Sequence, residues 1–143
     1  MKILFVCTGN TCRSPMAQAL AADMYGEWEF HSAGVAAYPS PASVHAVAVM
    51  AERGLCLAAH ASQPVTDELL QSVDLVLALA DNHKASLLRD FPSLCDKLYT
   101  LGEYTGSDAS VADPFGGSLE DYRSCAEQIY GLLAELRKSG VVG

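Results

Sequence analysis

The sequence predicts an α/β fold: a three-layer sandwich in which a four-stranded parallel sheet carries helices on both faces. Short apolar runs alternate with segments whose apolar residues recur at helical spacing, which is typical of parallel sheets. The first run, residues 3–6, is continuously apolar, as expected of a strand buried on both sides. A small, polar loop follows it directly, and such loops at the carboxyl ends of parallel strands carry active sites.

The bulk composition indicates one ordinary globular domain spanning residues 1–143, with 50% hydrophobic and 18% charged residues. A net charge of −8 argues against a nucleic-acid partner. No stretch reaches the roughly 20 apolar residues of a transmembrane helix, and the first apolar run is too short for a signal peptide. We therefore predict a cytoplasmic protein without membrane or nucleic-acid partners, by default a monomer.

The elements in the first half of the chain follow from caps and periodicity. Ser14 and Pro15 are typical of the N-cap and the first turn of a helix, whose apolar face continues until Gly26. Residues 28–31 alternate in polarity and favour a second strand. Residues 43–53 have the spacing of an amphipathic helix.

The second half of the chain continues the alternation. Its predicted segments are a short helix opened by Thr66, a strand at 73–79, a helix at 81–90, a weak strand at 97–99, a loop at 102–117 and a closing helix at 118–138.

The loop after the first strand carries the chemistry. It reads, in order, Cys7, Thr8, Gly9, Asn10, Thr11, Cys12, Arg13 and Ser14. A loop that returns to a helix N-terminus points its backbone N–H groups into one concavity, which forms an anion site. Gly9 is expected to relieve the tight curvature, and Asn10 tolerates left-handed backbone. The planar guanidinium of Arg13 can grip two phosphate oxygens.

The same donors act on Cys7. Oriented N–H groups and a nearby arginine favour the thiolate, which is the nucleophilic form. Ser14 can donate its hydroxyl to the departing sulfur. A buried cysteine and a surface arginine spaced by chance is the plain alternative, and the place of the motif between a strand and a capped helix argues against it.

Other interpretations of the loop fit less well. A nucleotide-binding loop ends in Gly-Lys-Ser/Thr, whereas this one ends in Cys12-Arg13-Ser14. A zinc site needs closely paired ligands, and the histidines are dispersed. We therefore expect no metal site.

Asp113 is the candidate acid that protonates the leaving group, and afterwards the base for the attacking water. Pro114 holds Asp113 extended, and the glycines that follow permit a sharp loop that projects the carboxyl group. Phe115 can form one wall of a substrate pocket. From the residues alone, a simple turn into the last helix explains this segment equally well.

The motif from Val6 to Ala17 resembles the signature of the low-molecular-weight protein tyrosine phosphatases. Ser32-Ala33-Gly34 and Asp113-Pro114 are similar to the later landmarks of that family. The resemblance implies the four-stranded sheet, Cys7 as nucleophile, Arg13 as phosphate clamp and Asp113 as general acid. It also implies that His60 and Asp81 brace the loop, and that the protein needs no metal or organic cofactor. The predicted substrate-binding residues are Thr8, Gly9, Asn10, Thr11, Cys12, Ser14 and Phe115.

Two positions resemble the bacterial protein-arginine phosphatase branch. Thr11 stands where the tyrosine-specific enzymes carry an aliphatic residue, and Phe115-Gly116 where they carry aromatic residues. A hydroxyl at the pocket floor suits a polar guanidinium, and losing an aromatic wall removes stacking on phosphotyrosine. We favour phosphoarginine on proteins as the substrate; a tyrosine phosphatase in which both changes are neutral stays open.

Two functions from other classes fit the sequence less well. An arsenate reductase needs two more cysteines as a disulfide relay, and Cys56, Cys95 and Cys125 show no suitable pair. A non-catalytic phosphate-binding module needs neither a thiol nor an acid. We also predict redox control, because Cys12 shares the loop with Cys7 and can trap its oxidised form as a disulfide.

Overall fold

Four parallel strands form the centre of the protein in a computed structural model, which describes residues 1–107 and 110–136. The strands are β1 (Lys2–Cys7), β2 (Glu29–Gly34), β3 (Leu75–Ala78) and β4 (Leu98–Thr100). They lie in the order β2-β1-β3-β4, and every neighbouring pair is parallel. The predicted four-stranded parallel sheet is confirmed.

Helices follow the strands along the chain. They are α1 (Arg13–Met24), α2 (Val44–Glu52), α3 (Asp67–Ser72), α4 (Asp81–Asp90), α5 (Leu101–Tyr104) and α6 (Leu119–Leu133), with a 3-10 helix at Pro92–Asp96. The predicted starts of three of them are confirmed. Ser43, Thr66 and Ser118 are the N-cap residues, and each side chain accepts a backbone N–H from the first turn.

The sheet separates two hydrophobic cores, which confirms the three layers. Ile3 and Phe5 of β1 face one core, together with apolar side chains of α1, α2 and α6. Leu4 and Val6 face the other, against α3, α4 and the 3-10 helix. All four side chains are fully buried. The continuous apolar run at the N-terminus thus comes from a strand covered on both faces.

Two predicted boundaries were wrong. Helix α1 begins at Arg13, and Ser14 is not its N-cap, because the Ser14 hydroxyl points into the interior and bonds Cys7 and Asn10. The predicted loop at 102–117 contains most of the short helix α5, which Thr100 and Glu103 stabilise through a reciprocal capping box. The part of the predicted closing helix beyond residue 136 lies outside the described residues.

Gly34, at the end of β2, lets the loop after β1 pack against the sheet. A Cβ atom at this position would lie 2.4 Å from the Thr8 carbonyl oxygen and 3.0 Å from the Asn10 backbone nitrogen. These are rigid backbone atoms, so a larger residue would displace the loop.

No helix among the described residues has the length and apolarity to cross a lipid bilayer.

Replacing Gly34 by alanine should therefore destabilise the fold. We expect the free energy of unfolding to fall by about 1–3 kcal/mol, the usual range for overpacking, measured by chemical denaturation. Gly131→Ala is the matched control, because no atom lies within 4 Å of its added Cβ and alanine favours a helix interior by about 1 kcal/mol over glycine. A Gly34→Ala protein as stable as the unmutated one would contradict this packing.

Candidate active site

A cavity of about 230 Å³ opens at the carboxyl end of β1, where the loop returns to α1. Its lining comes from the loop and from the segment before α6, and comprises Cys7, Thr8, Gly9, Thr11, Cys12, Arg13, Asp113 and Phe115. The fold therefore brings the three predicted catalytic side chains to one cavity, although more than 90 positions separate Asp113 from the loop. Asn10 and Ser14, also predicted to bind substrate, do not line it.

Cys7 lies at the last position of β1 and is 3% exposed. Its Sγ is 2.9 Å from the Ser14 Oγ. The Asn10 side-chain amide donates to that same Ser14 oxygen at 2.8 Å. With the amide proton directed at its oxygen, the Ser14 hydroxyl can donate its own proton to the Cys7 sulfur at 2.9 Å or to the Ala33 carbonyl oxygen at 3.5 Å, and the sulfur is the nearer acceptor.

Asn10 is fully buried and adopts the left-handed backbone conformation, with a φ of 57°. Its Oδ1 accepts from the Gln63 backbone N–H at 3.0 Å, and its carbonyl oxygen lies 2.8 Å from the His60 Nε2. The expected bracing by His60 is therefore present. The role expected of Gly9 was wrong: Asn10 makes the tight curve with its positive φ, and a Cβ at Gly9 would meet only an ordinary contact at 3.6 Å.

Arg13, the first residue of α1, is 6% exposed, and each of its terminal nitrogens has a partner. Nη1 donates to the Val111 carbonyl oxygen at 3.0 Å, and Nη2 lies 3.3 Å from the His83 Nε2. Nη2 is also 3.6 Å from the Asp113 Oδ2, so the clamp and the candidate acid form an ion pair. These contacts hold the guanidinium beside the cavity.

Asp113 and Phe115 form the outer rim of the cavity. The Asp113 side chain is 53% exposed, and its Oδ1 accepts the Phe115 backbone N–H at 3.0 Å. Phe115 is 77% exposed. Beyond them, a Cβ at Gly117 would lie 2.5 Å from the Asp121 Oδ2 and 2.9 Å from the Pro114 carbonyl oxygen. The glycine therefore lets this segment fold tightly and direct the carboxyl group toward the cavity.

Thr11 and Cys12 occupy the wall beside α2 and α6. The Cys12 Sγ is 3.3 Å from the Tyr122 hydroxyl and 3.5 Å from the Ser43 hydroxyl. The Thr11 Oγ1 is 3.6 Å from the Cys12 Sγ. Burial raises the pKa of Tyr122 to about 12, with the Cys12 contact as a second cause, so the phenol stays protonated at neutral pH.

All five cysteines are free thiols. Cys56 and Cys95 are exposed, whereas Cys125 is buried and donates to the Ala112 carbonyl oxygen at 3.8 Å. Burial raises the pKa of Cys125 to about 12, which keeps it a thiol. Within residues 1–107 and 110–136, no three His, Cys, Asp or Glu side chains are grouped to hold a metal ion.

His83 is a site residue that the sequence analysis missed. It lies in the first turn of α4, is fully buried, and its Nε2 is 3.0 Å from the Thr8 Oγ1. Burial, and after it the positive charge of Arg13, lowers the pKa of His83 to about 4. Asp81, expected to brace the loop, instead begins α4, and its backbone N–H donates to the Ser110 hydroxyl.

Comparison with known proteins identifies close relatives over nearly the whole chain. Residues 2–140 match the family described as low molecular weight phosphotyrosine protein phosphatase. The Protein-arginine-phosphatase of Bacillus subtilis (strain 168) is 46% identical over 144 residues, covering 96% of this chain and 95% of that protein. The low molecular weight protein-tyrosine-phosphatase PtpB of Staphylococcus haemolyticus (strain JCSC1435) is 37% identical over 138 residues, covering 96% and 98%.

A solved structure shares both the fold and the sequence. It is the C7S mutant of YwlE arginine phosphatase, with a phosphorylated active site serine. Its TM-score is 0.91 at 45% identity, and the match covers 96% of this chain and 94% of that one. The agreement confirms the predicted arrangement of sheet and helices.

The neutral state of His83 predicts a pH-dependent stability. Between pH 6.5 and 4 the unfolded chain protonates this histidine while the folded protein does not, so stability falls as the pH falls. The loss should amount to on the order of 2–3 kcal/mol. In His83→Leu the free energy of unfolding should not fall by this amount, because no histidine titrates at this position. The free energy of unfolding of both proteins would be measured by denaturant titration at each pH. If it falls equally in the two proteins as the pH is lowered, the prediction is contradicted.

Proposed function

Because the chain belongs to the low-molecular-weight phosphotyrosine protein phosphatase family, we propose that it hydrolyses phosphoarginine on proteins through a phosphocysteine intermediate at Cys7. One observation carries the chemistry: the Cys7 sulfur, the Arg13 guanidinium and the Asp113 carboxyl group line a single cavity. The arginine phosphatases among the relatives, at 45–46% identity, support the substrate.

In the first step the Cys7 thiolate attacks phosphorus, and the P–N bond of phosphoarginine breaks. The electron pair of that bond goes to the leaving nitrogen, which takes a proton from Asp113. Arg13 and the backbone N–H groups of the loop bind the phosphoryl oxygens, whose charge they stabilise during transfer. The Asp113 carboxyl group, 3.6 Å from the Arg13 Nη2, lies on the same side of the cavity as the clamp and carries the proton that it donates in this step.

In the second step water attacks the phosphocysteine, and the S–P bond breaks. Asp113, now a carboxylate, takes a proton from the attacking water. The electron pair of the S–P bond returns to Cys7 as the thiolate. Ser14, 2.9 Å from the sulfur, donates a hydrogen bond to it and eases its departure. Inorganic phosphate leaves and the starting state is restored.

Thr11 and the segment after Asp113 support phosphoarginine over phosphotyrosine. Thr11 lines the cavity with a hydroxyl group in place of an aliphatic side chain. Gly116, with a φ of 80°, leaves no ring beside Phe115 to stack on a phenol. Asp113 can hydrogen-bond a guanidinium as well as protonate it. A protein-tyrosine phosphatase is the second candidate, favoured by the PtpB relative.

The remaining expectations complete the proposal. The substrates are phosphorylated proteins. The other predicted contacts of the phosphate and the substrate side chain are made by Thr8, Gly9, Cys12 and Phe115, with Asn10 and Ser14 acting from behind the cavity. A single domain, a cytoplasmic location, a monomeric state and the absence of nucleic-acid partners stay predictions of the sequence.

The substrate is tested by comparing kcat/KM for a phosphoarginine peptide with that for a matched phosphotyrosine peptide. We expect a ratio well above one in the unmutated protein. In Thr11→Ile the ratio should fall by roughly five- to tenfold, since one hydrogen bond is worth about 1 kcal/mol. Thr11→Ser keeps the hydroxyl group and should keep the ratio. A ratio below one in the unmutated protein would assign it to the tyrosine phosphatases.

The predicted redox control involves the two cysteines of the loop. Peroxide converts the Cys7 thiolate to a sulfenic acid and releases hydroxide; the Cys12 thiol then attacks that sulfur, and water leaves as the disulfide forms. After peroxide treatment, dithiothreitol should restore the activity of the unmutated protein and of Cys56→Ser, whose thiol is exposed. In Cys12→Ser a second peroxide oxidises the unprotected Cys7 sulfenic acid to sulfinic acid, which dithiothreitol does not reduce, so this variant should stay largely inactive. If it recovers as completely as the unmutated protein, Cys12 does not protect Cys7.

A further inference from the structure

His83 makes two contacts with the active site, although the two-step reaction gives it no role. Its Nε2 lies 3.0 Å from the Thr8 hydroxyl oxygen and 3.3 Å from the Arg13 Nη2. Thr8 follows the nucleophile directly, and Arg13 is the phosphate clamp. The ring is fully buried between them, on the first turn of α4.

The partners determine which ring nitrogen carries the proton. A guanidinium group only donates hydrogen bonds, so the His83 Nε2 must accept from Arg13. The neutral ring then carries its proton on Nδ1. This Nδ1 is buried and has no hydrogen-bond partner in the part of the chain that the structure describes. The Thr8 hydroxyl can donate to the same Nε2.

The imidazole is therefore a poor choice for stability alone. A buried N–H without a partner lowers stability, and an apolar side chain of similar size would avoid that loss. The benefit of histidine must come from the groups that its Nε2 holds. Resting on the proposed phosphatase function, we propose that His83 is a positioning residue, which orients the Arg13 guanidinium and the Thr8 hydroxyl group for binding of the phosphoryl group.

The geometry explains how it acts. The Val111 carbonyl oxygen holds one terminal nitrogen of Arg13, and His83 holds the other. Two anchors on different nitrogens fix the plane of the guanidinium, so that its remaining N–H groups can meet two phosphate oxygens at once. Without His83, Nη2 would keep only its 3.6 Å contact with the half-exposed Asp113 side chain, and the plane could turn more freely about the Val111 hydrogen bond. The Thr8 contact in turn ties the start of the loop to α4.

The test compares three substitutions at His83. Glutamine can place an oxygen acceptor near the position of Nε2, whereas leucine has no acceptor and asparagine is too short to reach Arg13. We would measure kcat and KM for an aryl phosphate, the inhibition constant of inorganic phosphate, and the melting temperature. Inorganic phosphate is the direct probe, because it reports on the cradle without any leaving group.

In His83→Leu we expect the inhibition constant of phosphate to rise at least tenfold and kcat/KM to fall to match, with an unchanged or higher melting temperature. His83→Gln should recover most of the phosphate affinity and most of kcat/KM. His83→Asn should show the same losses as His83→Leu. Phosphate binding unchanged in the leucine variant would overturn the proposal. So would equal losses in the glutamine and leucine variants, since packing alone would then explain the histidine.

The two proposals fail in distinguishable ways. If the unmutated protein neither hydrolyses an aryl phosphate nor binds inorganic phosphate, the proposed function is wrong, and the role of His83 with it. If it does both and His83→Leu binds phosphate equally well, only the role of His83 is wrong. Should the leucine variant fail to fold, the contrast between the glutamine and asparagine variants decides the same question.

Discussion

The active-site loop keeps its shape because Asn10 is buried and bonded on three sides. Its side-chain amide donates to Ser14, its side-chain oxygen accepts from the Gln63 backbone, and its carbonyl oxygen contacts His60. These bonds satisfy the polar groups of a residue in left-handed backbone geometry, which is otherwise strained. The curve they hold turns the loop from the end of β1 into the start of α1. The anion cradle therefore depends on a residue outside the cavity.

The active-site cavity carries a positive charge, although the chain as a whole is negatively charged. The protein has a net charge of −8, yet the cavity contains a buried guanidinium. Arg13 faces one carboxylate, Asp113, which is half exposed, and one histidine that burial keeps neutral. A protonated His83 would repel the Arg13 guanidinium and compete with it for the phosphate. The neutral ring thus leaves Arg13 as the one positive charge among the described residues that line the cavity.

Much of the fold and the site could be predicted because the signals are local. The buried strand, the loop from Cys7 to Arg13 and the starts of α2, α3 and α6 depend on neighbouring residues. Asp113 needed the family resemblance, since its sequence alone also fits a turn. His83 and Gln63 could not be found, because contacts across 70 and 53 positions leave no pattern in the chain. For Ser14 the predicted contact with Cys7 is present, whereas the predicted N-cap role was wrong, because the hydroxyl cannot point to the sulfur and cap the helix at once.

The central claim is that Cys7 carries the phosphoryl group during turnover. To test it directly, the enzyme is mixed with a phosphoarginine peptide and quenched with acid within one turnover. The protein is then digested and its peptides are sequenced by mass spectrometry. We expect a phosphate on the peptide that contains Cys7, at Cys7 and not at Cys12, and no phosphorylated peptide in Cys7→Ala. Steady turnover with no phosphate on Cys7, or with phosphate on another residue, would contradict it.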